Sequence, residues 1–544
     1  MRRRAALAGL AVVPVAVLLV FFVVPVSGMV ERGFRTDGHW DPVGVLDVLG
    51  RDYVRRAIWF TVWTSASATA ISVALGLPAA YALYRLTFPG GRLLRAALLV
   101  PFVLPTVVVG VAFRELLRAG GPLGFLGLEG TPGAILAGMV FFNVAVVIRA
   151  VGAAWESLDR RPAEAAAALG APPFRVFRTV TWPALRPAVI SSASVVFLFC
   201  ASAFGIVLTL GGLRYSSVET QIYLLTSDLL DLQGASALSI VQLLAVTVLL
   251  VLAARLRRVA DPTAARSVAR PRRPLVSDAP ALAVTALLVV LVALPLATLL
   301  VGSLRVDGGW SLADYHRLAS PGADDLLVVP VLQSLWISLR TALGAMALSL
   351  TLGLSISLVV TRRMGTRGER RVLAVLDGLF MLPLGVSAVT LGFGLLVTLD
   401  RAPFDFRSAP WLVAVAQALV ALPLVVRTLA PVLLGIDDRQ RQAAASLGAG
   451  PLRRALVVDV PVMARPLLAA AGFAFATSLG EFGATSFLAR PESPTLPVVI
   501  YRLLGRPGAD NYGTALAASV VLAAVTALVV LLVDRLRVPS LGAF

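Results

Sequence analysis

The chain has 544 residues, of which 58% are hydrophobic and only 14% are charged. Soluble domains carry about 25% charged residues, so this composition excludes an ordinary soluble protein and predicts that most of the chain lies among membrane lipids. The net charge of +18 would suit a nucleic-acid-binding protein, but the arginines stand in short segments beside apolar runs. That pattern indicates membrane topology and no nucleic acid partner.

Apolar runs of about 20 residues, long enough to cross a hydrocarbon core of roughly 30 Å, recur along the chain. They predict an all-α polytopic membrane protein with about 12 transmembrane helices. The predicted spans begin near Ala5, Ile58, Ala96, Gly133, Ala188, Ser236, Ala281, Gln333, Val372, Pro410, Leu467 and Gly513. Arginine-rich segments alternate with arginine-poor ones, which places both termini in the cytoplasm of a bacterial-type plasma membrane.

The chain divides into two similar halves. Residues 259–280 are rich in arginine and proline and lack a long apolar run, which predicts a cytoplasmic linker between a first half at 1–258 and a second half at 281–544. The halves align at a constant offset, and the matched pairs are Pro105 and Pro383, Arg149 and Arg427, Phe204 and Phe482, and Tyr223 and Tyr501. The offset indicates a tandem duplication, with both copies in the same orientation in the membrane.

One polar motif occurs in each half. EAAAALG at 164–170 returns as QAAASLG at 442–448, and a proline follows each glycine at the same distance. The alanine run favours a helix, the glycine can end it, and nearby prolines prevent simple continuation. A single copy would suit an amphipathic loop on the membrane surface. Two equally spaced copies instead favour a partner with two equivalent docking sites.

The first copy, EAAAALGAPPFRVFRTVTWPALRP, resembles the cytoplasmic EAA loop of permease subunits of binding-protein-dependent ABC importers. The loops extend over about 155–187 and 435–466. The matching residues are Glu164, Ala165, Ala166, Gly170 and Pro183 in the first copy, and Ala443, Ala444, Gly448 and Pro461 in the second. Gln442 stands where the family usually has glutamate, and this change removes one charge-assisted contact. We therefore expect the Glu164 interface to be the tighter one.

The resemblance covers the whole chain and implies an importer permease of two parallel six-helix repeats. It further implies an extracytoplasmic substrate-binding protein and two copies of an ATPase subunit, which hold ATP and Mg and move one coupling loop each. A fused chain of this length is similar to the thiamine and ferric-iron permeases. The stretches SAFGIVLTLGG and GEFGATSFLARPESPTLP look more like the thiamine branch, with ferric iron as the alternative cargo.

The chain lacks the groups that enzymatic work requires. It contains no lysine, whereas a P-loop needs one to reach the nucleotide phosphates, so we expect no ATPase site and no cofactor in this chain. The only histidines, His39 and His316, are too few and too far apart to predict a metal site. Membrane-embedded catalysis would need convergent reactive groups within the spans, and Cys200 suits packing better than chemistry.

Glu481 is the clearest candidate for the substrate pathway, because ionisable residues within the membrane are costly. Its equivalent in the first half is Ala203. The carboxylate could attract a cation such as thiamine, or it could pair with an arginine such as Arg340. The residues that tentatively line the pathway are Glu481, Ser478, Phe482, Ser202 and Phe204.

Two predicted external segments, 211–223 and 491–501, both end in Ile-Tyr. They suit either a landing surface for the binding protein or re-entrant gate segments, and the sequence does not decide between them. A secondary transporter could also consist of parallel six-helix repeats. A gradient-driven carrier has no use for paired EAA loops, so the sequence favours the ATP-driven importer.

Overall fold

The computed structural model describes residues 2–535 apart from 37–38, 99, 213, 258–270, 322–326, 362–366, 400–405, 407–408, 437, 451–452 and 454. Most of the described chain is helical and very little of it is strand, which confirms the all-α fold. Two short β-hairpins each follow the first long helix of a half. Their strands are β1 (Arg35–Thr36) with β2 (His39–Trp40), and β3 (Arg305–Val306) with β4 (Gly309–Trp310).

The first half contains thirteen of the described α-helices. They are α1 (Arg2–Leu18), α2 (Val24–Gly33), α3 (Pro42–Gly50), α4 (Asp52–Arg85), α5 (Gly91–Ala97), α6 (Thr106–Leu117), α7 (Pro132–Glu156), α8 (Arg161–Ala168), α9 (Pro173–Val176), α10 (Trp182–Ala201), α11 (Gly205–Gly211), α12 (Val218–Ser227) and α13 (Leu232–Arg257). A π-helical turn over Leu19–Val23 joins α1 to α2 into one apolar helix.

The second half repeats this order within the described residues. Its helices are α14 (Ala279–Ser303), α15 (Ala313–Arg317), α16 (Val331–Val360), α17 (Arg367–Met381), α18 (Ala388–Thr398), α19 (Trp411–Gly435), α20 (Asp438–Ser446), α21 (Val460–Leu479), α22 (Thr485–Leu488), α23 (Leu496–Leu504) and α24 (Ala509–Arg535). The long helices α4 and α7 pack together in one half, and α16 and α19 pack together in the other.

Ten helices in the described residues are long and apolar enough to cross a membrane, and one bent pair raises the number to eleven. The count of twelve spans is therefore not confirmed. The predicted span near Ala96 bends by 105° between Val103 and Thr106. The predicted span near Val372 is interrupted by a 3₁₀ turn over Leu382–Gly385. Both breaks fall at the repeated proline, Pro105 or Pro383, because proline lacks the N–H that continues a helix.

The chain forms two compact units that do not coincide with the two sequence halves. One unit comprises residues 1–49, 222–243 and 306–544, and the other comprises 50–221 and 244–305. Within the first unit, α1 packs against α16 and α2 against α18. Within the second unit, α14 packs against α4 and α6. The first long helix of each half is thus packed on helices of the other half.

The approach of α2 to α18 is close because small residues meet there. A methyl group on Gly28 would lie 2.8 Å from side-chain atoms of Thr398. The Thr398 hydroxyl in turn donates to the backbone carbonyl of Pro25, at 3.4 Å. Small residues let transmembrane helices approach closely and make many van der Waals contacts. These contacts stabilise the packing, because the hydrophobic effect does not drive helices together within lipid.

The predicted linker is described only from residue 271 onward, and residues 259–270 lie outside the described part. Its described end is bound to the end of α4. The Arg272 guanidinium makes a two-pronged ion pair with Asp278, at 2.7 and 2.8 Å, and donates to the Tyr81 hydroxyl at 2.8 Å. Backbone bonds join Arg272 to Arg85 and Thr87. The linker end is therefore fixed to the first half before α14 begins.

Candidate functional site

Both EAA motifs form a short helix that ends in the same backbone geometry. Gly170 after α8 has φ +82°, and Gly448 after α20 has φ +80°, a left-handed conformation that glycine adopts without a Cβ clash. Each glycine N–H donates to the carbonyl three residues earlier, at 2.9 and 3.0 Å, and the next N–H donates to the carbonyl five residues earlier. This paired bonding is the Schellman motif, so the sequence EAAAALG specifies where the helix stops.

The motif helices face outward in both copies. Glu164 and Gln442 are exposed. The leucines just before the two glycines, Leu169 and Leu447, each have 88% of their surface exposed. Exposed leucines that recur at equivalent positions, beside a smooth alanine face, form an apolar surface that a partner can cover.

Each motif loop continues into the membrane through a π-helical turn. The turns occupy Phe177–Thr181 and Ala455–Asp459, at equivalent positions of the repeat. The motif prolines, Pro183 and Pro461, follow as the second residues of α10 and α21. Proline has no backbone N–H to donate to a carbonyl of the preceding turn, and the wider π turn accommodates the missing hydrogen bond. The sequence identified these prolines but missed the π turns.

The helix that follows each loop breaks again further along the chain. In the second half the break lies between α21 and α22, and Glu481 lies within it with 7% of its surface exposed. Its carboxylate accepts hydrogen bonds from the backbone N–H groups of Ala484, at 2.7 Å, and Thr485, at 3.0 Å, and from the Thr485 hydroxyl. Arg340, one of the partners considered from sequence, is exposed. Glu481 therefore caps the start of α22.

The other candidate pathway residues lie at the same break or at its equivalent. Phe482 is buried beside Glu481, and the Ser478 hydroxyl is buried without a hydrogen bond in the described residues. In the first half, Ser202 donates to the carbonyl of Leu198 at 2.9 Å and Phe204 is buried. The structure thus brings Ser478, Glu481 and Phe482 together in one compact unit, and Ser202 and Phe204 in the other.

Helices α12 and α23 form the ends of the two segments predicted to be external, and an equivalent hydrogen bond holds each helix in place. The N–H of Val218, the first residue of α12, donates to the Thr61 hydroxyl on α4 at 2.9 Å. The N–H of Leu496, the first residue of α23, donates to the Ser338 hydroxyl on α16 at 2.7 Å. Sequence reasoning missed both hydroxyls, because the segments they join are more than 150 residues apart.

The Ile-Tyr pairs at the ends of these segments lie in the interior. Ile222 and Ile500 are completely buried. Tyr223 and Tyr501 are partly buried, and their rings contact each other with 6.4 Å between centroids. These residues therefore form interior contacts, which a landing surface for a separate protein would not require.

Glu115 and Glu219 are among the buried acids that were not singled out from the sequence. Glu115, near the end of α6, makes a two-pronged ion pair with Arg118 at 2.7 and 2.9 Å. The spacing Glu-Leu-Leu-Arg could have predicted this pair, because residues three apart lie on one helix face. Glu219 is completely buried in the first turn of α12, where the helix dipole favours a negative charge. Within the described residues, no group of three metal-binding side chains could hold a metal ion.

Comparison with known proteins gives two results. The family described as binding-protein-dependent transport system inner membrane component matches residues 72–266 and 349–538, one match in each half. The chain is 30% identical to the thiamine transport system permease protein ThiP of Brucella abortus over 90% of its length and 89% of the relative's. ThiP of Escherichia coli is 30% identical over 83% of this chain and 84% of its own length. A probable ABC transporter permease of Sinorhizobium fredii, y4fN, is 26% identical over 98% and 96%.

Proposed function

We propose that this chain, which belongs to the family of binding-protein-dependent transport system inner membrane components, imports thiamine as the permease subunit of an ABC importer. The observation that carries the choice of cargo is the 30% identity to thiamine permeases over nine-tenths of the chain. Those relatives have both halves in one chain, as this protein does. No covalent chemistry is needed, because the chain is a transport subunit and thiamine crosses unchanged.

Two copies of an ATPase subunit dock on the two motif helices in this proposal. The support is that α8 and α20 end in the same hydrogen-bonded geometry and expose equivalent leucines, Leu169 and Leu447. Two copies of one ATPase subunit have identical docking surfaces, and each would bind a motif loop with the same backbone conformation. ATP and Mg are held by the ATPase subunits, and both termini and both motif loops face the cytoplasm.

Closure of the ATPase dimer would reach the membrane through the π turns. Each motif helix connects through one such turn to α10 or α21, and each of these helices leads to the break that precedes α11 or α22. A π turn is a common site of helix bending, so the connection can change angle without breaking the whole hydrogen-bond ladder. Thiamine arrives on an extracytoplasmic binding protein and leaves toward the cytoplasm.

Uptake by whole cells tests the proposed cargo. Cells that lack this gene are supplied with labelled thiamine or labelled ferric iron, with and without the restored gene. We expect restored thiamine uptake and unchanged iron uptake. Rescue of iron uptake alone would reject thiamine and assign the chain to the ferric-iron branch, and rescue of neither would leave the family membership but overturn the thiamine proposal.

A double variant tests the docking surface. Leu169→Glu with Leu447→Glu leaves both helix ends intact, since the two side chains are exposed. We expect the purified permease to lose the ATPase subunit while its own folding is unchanged. The matched control is Phe125→Glu, which changes another highly exposed apolar residue, at the opposite end of α7 from the first motif loop. Full retention of the ATPase subunit by the double variant would contradict the docking role.

A further inference from the structure

Tyr223 and Tyr501 occupy equivalent positions of the duplication and touch each other. Their ring centroids are 6.4 Å apart and the ring planes lie at 82°, an edge-to-face arrangement. Tyr223 lies on α12 and Tyr501 on α23, and both positions belong to the same compact unit. Residues at matching positions of two copies can contact each other only where the copies meet. Substrate sites of parallel repeats lie where the copies meet, so this contact is a candidate part of the transport pathway.

Buried phenylalanines pack against both tyrosines of the pair. Tyr501 packs on Phe482, with centroids 5.6 Å apart, and Tyr223 packs edge-to-face on Phe487, also at 5.6 Å. Phe487 in turn packs on Phe393 at 6.3 Å. Phe393 and Phe482 are almost completely buried, whereas both tyrosines keep part of their surface exposed. The phenylalanines fix the ring positions, and the tyrosines are the members of the cluster that keep exposed surface.

The chemistry of these faces suits an aromatic cation. A tyrosine ring face carries negative electrostatic potential and attracts a cation that stacks on it. The exposed carboxylate of Asp228 interacts electrostatically with both tyrosines, whereas the guanidinium of Arg502 interacts with Tyr223. A substrate with a positively charged heterocycle would find both a stacking partner and a nearby negative charge there.

We propose that Tyr223 and Tyr501 form a gate that closes the transport pathway by ring contact and that, when the rings part, stacks against the cationic ring of the substrate. The second part rests on the proposed import of thiamine, whereas the first rests only on the contact. The separation of the rings opens the path and frees their faces in the same movement. The pair therefore determines specificity as well as closure.

Two double variants test the stacking in the complete importer, reconstituted in liposomes with its ATPase and binding protein. Tyr223→Phe with Tyr501→Phe keeps both ring faces, and we expect a nearly unchanged apparent KM for labelled thiamine. Tyr223→Leu with Tyr501→Leu keeps an apolar plug but removes the faces, and we expect KM to rise about tenfold while the maximal ATPase rate is retained. Equal KM values for the two variants would overturn the stacking role.

Cross-linking tests the gate without reference to the cargo. Cys200, which is buried, is first replaced by alanine, and cysteines are then introduced by Tyr223→Cys and Tyr501→Cys. We expect a short bifunctional thiol reagent to join the halves and stop transport, and trapping with ATP and vanadate to reduce the cross-linking. Full transport by the cross-linked protein would overturn the gate. Absence of thiamine uptake by the unmodified importer would instead reject the proposed cargo, and the trapping result would still decide the gate.

Discussion

The two motif loops and the two membrane breaks have diverged to different degrees since the duplication. The loops keep the same backbone, with φ +82° at Gly170 and +80° at Gly448 and the same pair of hydrogen bonds. The breaks differ, because Glu481 caps α22 with its carboxylate while the equivalent residue in the first half is Ala203. In the proposed importer, the loops dock on two identical ATPase subunits and must therefore remain alike. The breaks dock on no repeated partner and are free to differ.

The largest expected effect comes from removing the carboxylate that makes the two breaks different. Glu481→Ala leaves the buried N–H groups of Ala484 and Thr485 without their acceptor, at about 1–3 kcal/mol for each unsatisfied group. We expect a melting temperature lower by several degrees in detergent and poor recovery of folded protein. Glu481→Gln keeps one acceptor oxygen and should be less destabilising.

Ala203→Ser in the first half is the matched control and should melt like the unmodified protein. Scanning fluorimetry measures all three variants under the same conditions. A Glu481→Ala protein that melts normally but no longer transports would show that the carboxylate serves the substrate and not the helix cap.

Substitution of the motif glycines tests whether the two loops, which have the same backbone conformation, contribute similarly to binding of the ATPase. Gly170→Ala and Gly448→Ala each place a Cβ at a positive φ, which costs about 1–2 kcal/mol and favours a different helix end. We expect losses of ATPase retention of similar size, measured by co-purification, and a larger loss in the double variant. A strong effect at only one glycine would show that the partner distinguishes the two loops.

The hydroxyls that hold α12 and α23 provide a second matched pair. Thr61→Val and Ser338→Ala each remove the acceptor of one helix-starting N–H, with an expected cost of about 1 kcal/mol. Hydrogen exchange of α12 and α23, measured by mass spectrometry, should increase in the respective variant. Unchanged exchange in both would show that these bonds do not position the short helices.

The smallest effect is expected where the loops differ in sequence. Glu164 lies in the first turn of α8, where a negative charge near the helix N-terminus contributes about 0.3–1 kcal/mol at an exposed site. Glu164→Gln should slightly weaken ATPase retention, and Gln442→Glu should slightly strengthen it. If Glu164→Gln leaves both retention and transport unchanged, the expected asymmetry between the two interfaces is wrong.

Features that depend on the local backbone could be predicted from the sequence. The glycine and proline of each motif mark where a helix ends and where the next begins, and Pro105 and Pro383 mark breaks in predicted spans. Those breaks also explain why a count based on apolar length gave twelve spans. Proline interrupts a helix without interrupting the apolar run.

Features that depend on distant contacts could not be predicted. The packing of α2 on α18, the hydroxyls of Thr61 and Ser338, and the contact of Tyr223 with Tyr501 each join segments far apart in the chain. Glu481 was identified as unusual, but its partners are two backbone N–H groups and the Thr485 hydroxyl of its own segment. A search for an oppositely charged side chain could not find them.

Transport by the purified importer tests the central claim most directly. Liposomes that contain the permease with its ATPase, supplied with the binding protein and labelled thiamine, are compared with and without ATP, and with the Gly170→Ala, Gly448→Ala double variant. We predict uptake that requires ATP and is strongly reduced in the double variant although the protein is folded. Thiamine uptake by the permease alone, driven by an ion gradient and unaffected by the double variant, would contradict the account.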